Sequence, residues 1–380
     1  MPAIRRPTAL RSTPQSAFRT PSMRPDFALL DRLRNRFLDA PSVGGDYWET
    51  PEMLALYNST FGERIGWKWD AVLEELAARR WAPPPGTVLV DWGCGSGIAG
   101  RRVLRAFGAE QFTRLIVHDR SALARRFAAE RATAVFPGLV VEQAPDWGEI
   151  VAAEPFTLVI SHVLNELPPA ESAALIALVR RAATVIWVEP GTGEVSRTLV
   201  TIREELRSTF AVVAPCTHQG ACGLLTPDNQ RHWCHHFARP PIEAFTEAFW
   251  SEFALRLGID LRSLPYSFLV LERPPAGTAL AAPTPEGWSR ILGEPREFKG
   301  YFKVLSCEAV GVTERMLQKR DSKALFKTMR RVPPPPLFAW QLRDEKIVSG
   351  EHWPVPGREP TGNTEEPPQT DAAADIPDAT

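Results

Sequence analysis

The sequence predicts a doubly wound α/β domain, preceded by helices and followed by a strand-containing extension. Three observations lead there. Between residues 83 and 213, strand-sized apolar runs alternate with helix-length segments. A glycine-rich turn follows the first of these runs, and beyond Phe210 the alternation gives way to a loop dense in cysteine and then to a Pro-interrupted stretch with strand signals.

Size and charge set the frame. With 380 residues and 44% hydrophobic content, the chain can bury a large core and has length for two domains plus tails. No apolar run approaches the roughly 18–20 residues that span a bilayer, so no membrane partner is expected. The net charge of -1 hides an asymmetry. Arg5, Arg6, Arg11, Arg19 and Arg24 all precede the first acid, Asp26, which makes residues 1–26 a basic flexible arm. That composition suits an organelle transit peptide, a nucleic-acid-binding arm, or leader sequence before an alternative start at Met23. It lacks the apolar segment of a secretory signal. The expected location is mitochondrial if the arm is a transit peptide and cytoplasmic if the chain is bacterial.

After the arm, residues 27–82 read as a helical region. Helices are expected over Phe27–Phe37 and Pro51–Arg79, the second carrying Leu54, Tyr57, Phe61, Ile65, Trp69, Val72, Leu73 and Leu76 at helical spacing. Pro83, Pro84, Pro85 and Gly86 form a stiff break that opens the α/β domain, 83–213. Within it, strands are predicted at Thr87–Asp91, Arg114–Asp119, Leu139–Gln143, Phe156–Ser161 and Thr184–Glu189. The intervening helices fall at Gly97–Phe107, Ser121–Ala134, Pro169–Arg181 and Glu194–Phe210. In the extension, 214–332, Tyr266–Glu272 and Tyr301–Ala309 read as strands. Residues 333–380 are Pro-rich and acidic, with Glu351, Glu359, Glu365, Glu366, Asp371, Asp375 and Asp378. From about Val348 the chain is too polar to offset the entropy of ordering, so this range is predicted to be a disordered tail.

The first candidate site is Asp91-Trp-Gly-Cys-Gly-Ser-Gly97, which follows a strand and opens a helix. Gly93, Gly95 and Gly97 let the backbone turn tightly and approach a ligand without a clashing Cβ. Asp119, ending the next strand, is placed to bond a ribose hydroxyl pair. A dinucleotide site would more usually read Gly-x-Gly-x-x-Gly and hold a pyrophosphate. Asp91 would repel a phosphate, but it can bond the cationic methionine portion of S-adenosylmethionine. The pattern resembles the first motif of class I methyltransferases. Asp146 and Trp147 are candidate adenine-side contacts, and Cys94 reads as packing.

After the strand Phe156–Ser161 an amino-methyltransferase of bases would carry Pro-Pro-aromatic. This chain has Ser161-His-Val-Leu-Asn-Glu-Leu-Pro-Pro169, without the aromatic clamp. His162, Asn165 and Glu166 are candidates to face the pocket, but the pattern names no catalytic residue.

The second candidate site is a cysteine cluster. The odd total of five cysteines, without a secretory signal, argues for metal or catalysis over a disulfide framework. Cys216-x5-Cys222-x11-Cys234 places three in one loop, and Cys307 ends a predicted strand from which a fourth thiolate could close the shell. Four thiolates suit tetrahedral zinc or an iron-sulfur cluster. The wide gaps favour [4Fe-4S] over zinc. One alternative makes Pro215-Cys216 the nucleophile of a 5-methylcytosine methyltransferase, though it lies a strand and a helix too late for that role. Another draws ligands from His218, His232, His235 and His236, leaving Cys307 as packing.

Taken in order, DWGCGSG, SHVLNELPP, VEPGTGEVSRTL, APCTHQGACGLL, RHWCHHFARPP and KGYFKVLSCEAVG resemble the methyltransferase-like small ribosomal subunit family, known from a mitochondrial ribosome assembly factor and its bacterial relatives. The resemblance spans about residues 45–332. It implies a class I methyltransferase Rossmann domain with a metal-bound C-terminal extension, and an S-adenosylmethionine site at the glycine motif. It also implies a [4Fe-4S] cluster on Cys216, Cys222, Cys234 and Cys307, with the small ribosomal subunit and its rRNA as partners and a monomer off the ribosome. The arm and the tail lie outside it.

RNA contact has separate support. Arg296, Lys299, Lys303, Arg315, Lys319, Arg320, Lys323, Lys327, Arg330 and Arg331 outnumber Glu297, Glu308, Glu314 and Asp321 over the same stretch. The expectation is a ribosome-associated methyltransferase-fold protein acting in ribosome assembly or translation. Its rivals are an active rRNA methyltransferase and a zinc-stabilised small-molecule methyltransferase.

Overall fold

Three helices precede the first strand: α1 (Phe27–Asp39), α2 (Pro51–Asn58) and α3 (Phe61–Ala78). The one helix expected over Pro51–Arg79 is two, because two side chains turn back on the preceding turn. Ser59 Oγ donates to the Ala55 and Leu56 carbonyls at 3.1 Å each, and Thr60 Oγ1 donates to Leu56 O at 2.7 Å. Bonds of this kind compete with helical continuation. Thr50 caps α2, its Oγ1 accepting from Met53 N at 3.2 Å, with Pro51 opening the first turn. Leu54, Trp69, Val72, Leu73 and Leu76 are buried as their spacing requires.

This is a computed structural model, which describes residues 26–39, 48–146, 154–275, 277–278, 280 and 284–353. The basic arm, Trp147 and the chain beyond Trp353 lie outside the described residues.

The alternation then runs nearly as predicted: β1 (Thr87–Trp92), α4 (Ile98–Phe107), β2 (Phe112–His118), α5 (Ala122–Val135), β3 (Val141–Ala144), β4 (Phe156–Ser161), α6 (Pro169–Val179), β5 (Thr184–Pro190) and α7 (Gly193–Leu206). After it come β6 (Ala211–Ala214), the short β7 (His236–Phe237), α8 (Glu243–Thr246), α9 (Ala248–Leu257) and β8 (Pro265–Glu272). The first sheet has the order β3-β2-β1-β4-β5-β8-β6, with β7 pairing on β8. The first five strands are parallel, whereas β8 runs antiparallel to both β5 and β6. The sheet is therefore mixed: β8 returns from the long excursion through the cysteine loop and α9, and enters between β5 and β6 from the opposite direction. Both faces are covered. Leu89, Val159 and Ile186 join the layer that contains α3, while Val88, Val90, Leu158, Val185 and Trp187 join the layer of α6 and α7. Continuous apolar strands reflect that two-sided burial.

The extension forms a second sheet: β9 (Trp288–Ile291), β10 (Arg296–Phe298), β11 (Tyr301–Glu308), β12 (Gly311–Gln318), α10 (Lys323–Met329), β13 (Leu337–Arg343) and β14 (Lys346–His352). Its order is β10-β11-β12-β14-β13-β9, and β9 also pairs with β11. That extra pairing closes β9, β11, β12, β14 and β13 into a small barrel. Ile291, Phe302, Val304, Leu317, Phe338 and Ile347 fill it, and α10 contributes Leu325, Phe326 and Met329 to the same core. Each such burial contributes about 1.5–3 kcal/mol.

Two sequence expectations are corrected here. The tail predicted over 333–380 does not begin at 333, because β13 and β14 occupy its first part. Ile347 and Phe338 are fully buried in the barrel, and Trp353 Nε1 donates to Ala78 O at 3.0 Å. A strand closing a barrel needs few apolar residues of its own, since its backbone is satisfied by neighbours. The 214–332 boundary likewise cuts through a structural unit: β8 belongs to the first sheet, and the barrel runs on to residue 352.

Candidate functional site

The glycine turn lies between β1 and α4. Gly93, Gly95 and Gly97 have φ of 67°, 50° and 71°, backbone that L side chains rarely adopt. Two are also crowded: a Cβ on Gly93 would lie 2.9 Å from Val163 Cγ1, and one on Gly97 would lie 2.8 Å from Ala128 Cβ. A Cβ on Gly95 would meet nothing within 4 Å. Gly95 is thus glycine for conformation alone, with open space beside it.

The two predicted acids are both buried and hold the turn. Asp119 accepts from Gly95 N and Ser121 N, each at 2.9 Å. Asp91 Oδ2 accepts from Gly100 N at 3.0 Å, while Oδ1 is buried with no partner. Burial raises the Asp91 carboxyl to about 7, against the opposing Gly100 bond. A buried carboxylate oxygen without a donor is what a cationic ligand or a water would satisfy. Cys94 packs in the turn and is buried, as expected.

The floor beyond β4 carries the predicted His162 and two groups that the sequence reading passed over, Glu189 and Lys68. Glu189, ending β5, accepts through Oε1 from Val163 N (3.1 Å), Leu164 N (3.3 Å) and Trp187 Nε1 (2.7 Å), while Oε2 is buried and unpartnered. Burial raises its carboxyl to about 7. Lys68 of α3 places Nζ 3.3 Å from His162 Nε2, and burial together with the Arg64 charge lowers its ammonium to about 7. His162 has φ 55°. The available signal was a lysine flanked in sequence by Trp67 and Trp69, both of which are buried. Asp146 lies two residues beyond β3 and is exposed.

The cysteine loop follows β6 and lies between the α/β domain and the barrel. Side chains from both sides hold its backbone. Arg79 donates to Val213 O (3.0 Å), Pro215 O (3.0 Å) and Cys216 O (3.2 Å). Arg203 donates to His218 O, Glu204 accepts from Cys222 N, and Arg197 donates to His232 O. Trp233 Nε1 reaches Gly191 O at 3.0 Å. From the barrel, a Cβ on Gly223 would lie 2.7 Å from Val312 N, so loop and β12 touch backbone to backbone.

This framework packs Cys222 and Cys234 against the cluster that buries Cys307, while Cys216 packs against the layer of α6 and α7, within electrostatic reach of the other three. Cys307 lies buried with Leu224, Leu292 and Val312, against which Cys222 and Cys234 pack. Burial pushes the Cys222 thiol up to about 11, with Cys216 adding to the effect. Burial raises Cys234 and Cys307 too, again reinforced by the other thiols. All four are free thiols. Among the described residues, no group of three or more His, Cys, Asp or Glu side chains forms a ready metal site.

The surroundings nevertheless suit an anionic sulfur-rich group. Arg203, which lies within the influence of Cys216 and Cys222, keeps Nε buried without an acceptor; Thr217 Oγ1 and His218 Nδ1 are likewise buried and unpartnered. Two guanidiniums, Arg79 and Arg290, share one carboxylate, Glu75, leaving one positive charge in excess beside the loop. Of the histidines, His236 lies 3.7 Å from Cys234 Sγ and 3.3 Å from Arg290 Nε, and His235 Nδ1 lies 3.1 Å from Trp233 O.

A mixed sheet of order β3-β2-β1-β4-β5-β8-β6 with a glycine turn after β1 defines the class: an α/β protein of class I methyltransferase type, here carrying a barrel on a cysteine-bearing joint. Residues 70–333 match the family described as Mitochondrial small ribosomal subunit Rsm22, and the chain belongs to that family. No curated protein matches it.

Solved structures resemble it at low identity. Magnesium protoporphyrin IX methyltransferase from Synechocystis with bound SAH is 13% identical, with 66% of this chain and 95% of that chain covered and a TM-score of 0.34. The N-methyltransferase NodS from Bradyrhizobium japonicum with S-adenosyl-L-homocysteine is 13% identical (64% and 99% covered, TM-score 0.33). An rRNA methylase from Streptococcus thermophilus is 11% identical (52% and 92% covered, TM-score 0.31). Among the described residues, no helix is long and apolar enough to cross a membrane.

Proposed function

We propose that this chain is a small-ribosomal-subunit-associated protein of methyltransferase fold that acts in ribosome assembly or translation. Its membership of a family described by the mitochondrial small ribosomal subunit carries the reading. In it, the pocket at Gly93, Gly95 and Gly97 holds S-adenosylmethionine. Asp91 Oδ1 meets the cationic methionine portion and Asp119 meets the ribose. Cys216, Cys222, Cys234 and Cys307 hold a [4Fe-4S] cluster, with zinc the alternative. When bound, the cluster supplies four strong sulfur crosslinks and negative charge beside Arg203 and Arg290. Its role is structural: it ties β11 of the barrel to the loop after β6. The subunit and its rRNA are the partners, and the chain is a monomer when free.

Activity is a second reading, favoured by one observation. Lys68, His162 and Glu189 gather at the end of β4, where a methyl acceptor would enter. Proximity and orientation would supply most of the catalysis. Co-sedimentation of the full chain with purified small subunits tests the main reading. Pelleting with the subunit is the expected result; failure to pellet even at low salt overturns it and leaves a zinc-stabilised small-molecule methyltransferase ahead. Transfer of labelled methyl to subunit RNA would establish the active form.

A further inference from the structure

The barrel has a connectivity of its own. Numbered within the barrel, β9, β11, β12, β13 and β14 are strands 1 to 5, and they close in the order 1-2-3-5-4-1. Strands 3 and 5 run parallel, through Met316↔Lys346 and Leu317↔Ile347, and the helix α10 lies between strands 3 and 4 and plugs the core. This is the Greek-key barrel of oligonucleotide-binding domains, whose strand 2–3 face and adjoining loops take up ligand.

That face here is built from three strands, because β10 extends it beside β11. Register puts Arg296 opposite Lys303 and Phe298 opposite Tyr301, then Tyr301 opposite Gln318 and Lys303 opposite Met316. Cross-strand partners share a face, and the intervening Phe302, Val304 and Leu317 point into the barrel. The outer surface therefore carries Arg296, Phe298, Tyr301, Lys303, Met316 and Lys346. Phe298 and Tyr301 stack, with ring centroids 4.9 Å apart and planes 7° from parallel. Phe298 is 41% exposed, an unusual place for a large apolar ring.

Charge agrees. Glu314 pairs with both Arg296 and Lys303, so the three leave one positive charge in excess. Lys299 at the hairpin tip, Lys319 and Lys346 are exposed and enter no ion pair among the described residues. Nearby, Glu297 pairs with Arg330, and Arg320 lies against Asp321. At the opposite end of the same ribbon, Cys307 and Val312 are packed against the cysteine loop, so one end of the ribbon is docked and the other is open.

We propose that the β10–β11–β12 face binds single-stranded RNA, with unpaired bases stacking on Phe298 and Tyr301 and the flanking lysines and arginines tracking phosphates. An exposed aromatic pair amid cations suits unstacked bases; duplex RNA hides its base faces and offers mainly backbone and 2′-hydroxyl contacts. This deepens the ribosomal reading and rests on it for the identity of the RNA.

The test uses the full chain and a labelled polyuridine RNA of about 12 nucleotides, within the ~4–16 that such a barrel covers. The same strand annealed to polyadenosine serves as the duplex. Wild type should prefer the single strand. Phe298→Ala and Tyr301→Ala should each weaken single-strand binding at least about fivefold, the low end of base–aromatic stacking. They should leave duplex binding and the unfolding midpoint unchanged, since both rings lie outside the barrel core. Lys346→Glu is a second probe that should flatten the salt dependence. If both ring variants bind the single strand like wild type while wild type still pellets with small subunits, the face is wrong and the ribosomal reading stands. If wild type binds polyuridine through Phe298 but never pellets with subunits, the face stands and the ribosomal reading falls.

Discussion

Arg290 of β9 grips Glu75 of α3 with both arms of its guanidinium, Nη1 to Oε1 at 2.6 Å and Nη2 to Oε2 at 2.8 Å, both side chains being buried. Arg79 takes the same carboxylate at 2.7 Å. Burial alone would raise the Glu75 carboxyl, but the two guanidiniums outweigh it and hold it below the ordinary range. Arg290 also sits opposite Cys307 in the barrel and donates to Pro215 O of the cysteine loop. One residue thus touches helix, loop and barrel.

Glu75→Ala should therefore destabilise the fold by about 3–5 kcal/mol, the cost of leaving buried charges without a partner. Arg290→Ala should cost less, because Glu75 keeps Arg79. Urea unfolding of the two variants checks the order; a loss below about 1 kcal/mol for Glu75→Ala would show that the network relaxes to water.

The glycines of the turn should separate stability from ligand binding. Gly97→Ala combines left-handed backbone with contact against Ala128 and should lose about 2–4 kcal/mol. Gly95→Ala meets no atom within 4 Å and should lose only about 1–2 kcal/mol of backbone preference. Because its methyl would stand in open space beside the turn, it should weaken S-adenosylmethionine binding more than it lowers the unfolding midpoint. Calorimetric titration alongside thermal unfolding checks both.

Asp91 predicts a pH dependence. Its carboxyl is raised to about 7 by burial, so the empty fold binds a proton that the unfolded chain releases near 4. Its contribution to stability is present below about pH 4, falls as pH rises toward 7, and is constant above. A cationic ligand needs the ionised form. The dissociation constant for S-adenosylmethionine should weaken by up to about tenfold per unit as pH drops below 7. Asp91→Asn should bind weakly without that slope; a persisting slope would transfer the effect to Glu189.

The α/β core was legible in the sequence because strands buried on both faces read as continuous apolar runs, and Asp91 to Gly97 spells its turn locally. The barrel was not. β12 and β14 alternate or are largely polar, and their pairing partners lie far along the chain, so a segment such as Lys346–His352 reads as tail until β12 and β13 flank it. Lys68 and Glu189 were missed for the same reason. Their meaning comes from what folding places beside them, His162 and the Val163 amide.

In the proposed reading, a [4Fe-4S] cluster on Cys216, Cys222, Cys234 and Cys307 adds to the Arg290–Glu75 contact in joining the barrel to the α/β domain. Anaerobic purification, followed by iron, sulfide and zinc analysis with an absorption spectrum, addresses that directly. The prediction is brown protein with about four irons and broad absorption near ~400 nm, and a Cys307→Ser variant that loses iron and soluble fold together. Colourless wild-type protein with one zinc would replace the cluster by the alternative metal, and metal-free protein that stays folded would contradict the four-cysteine joint.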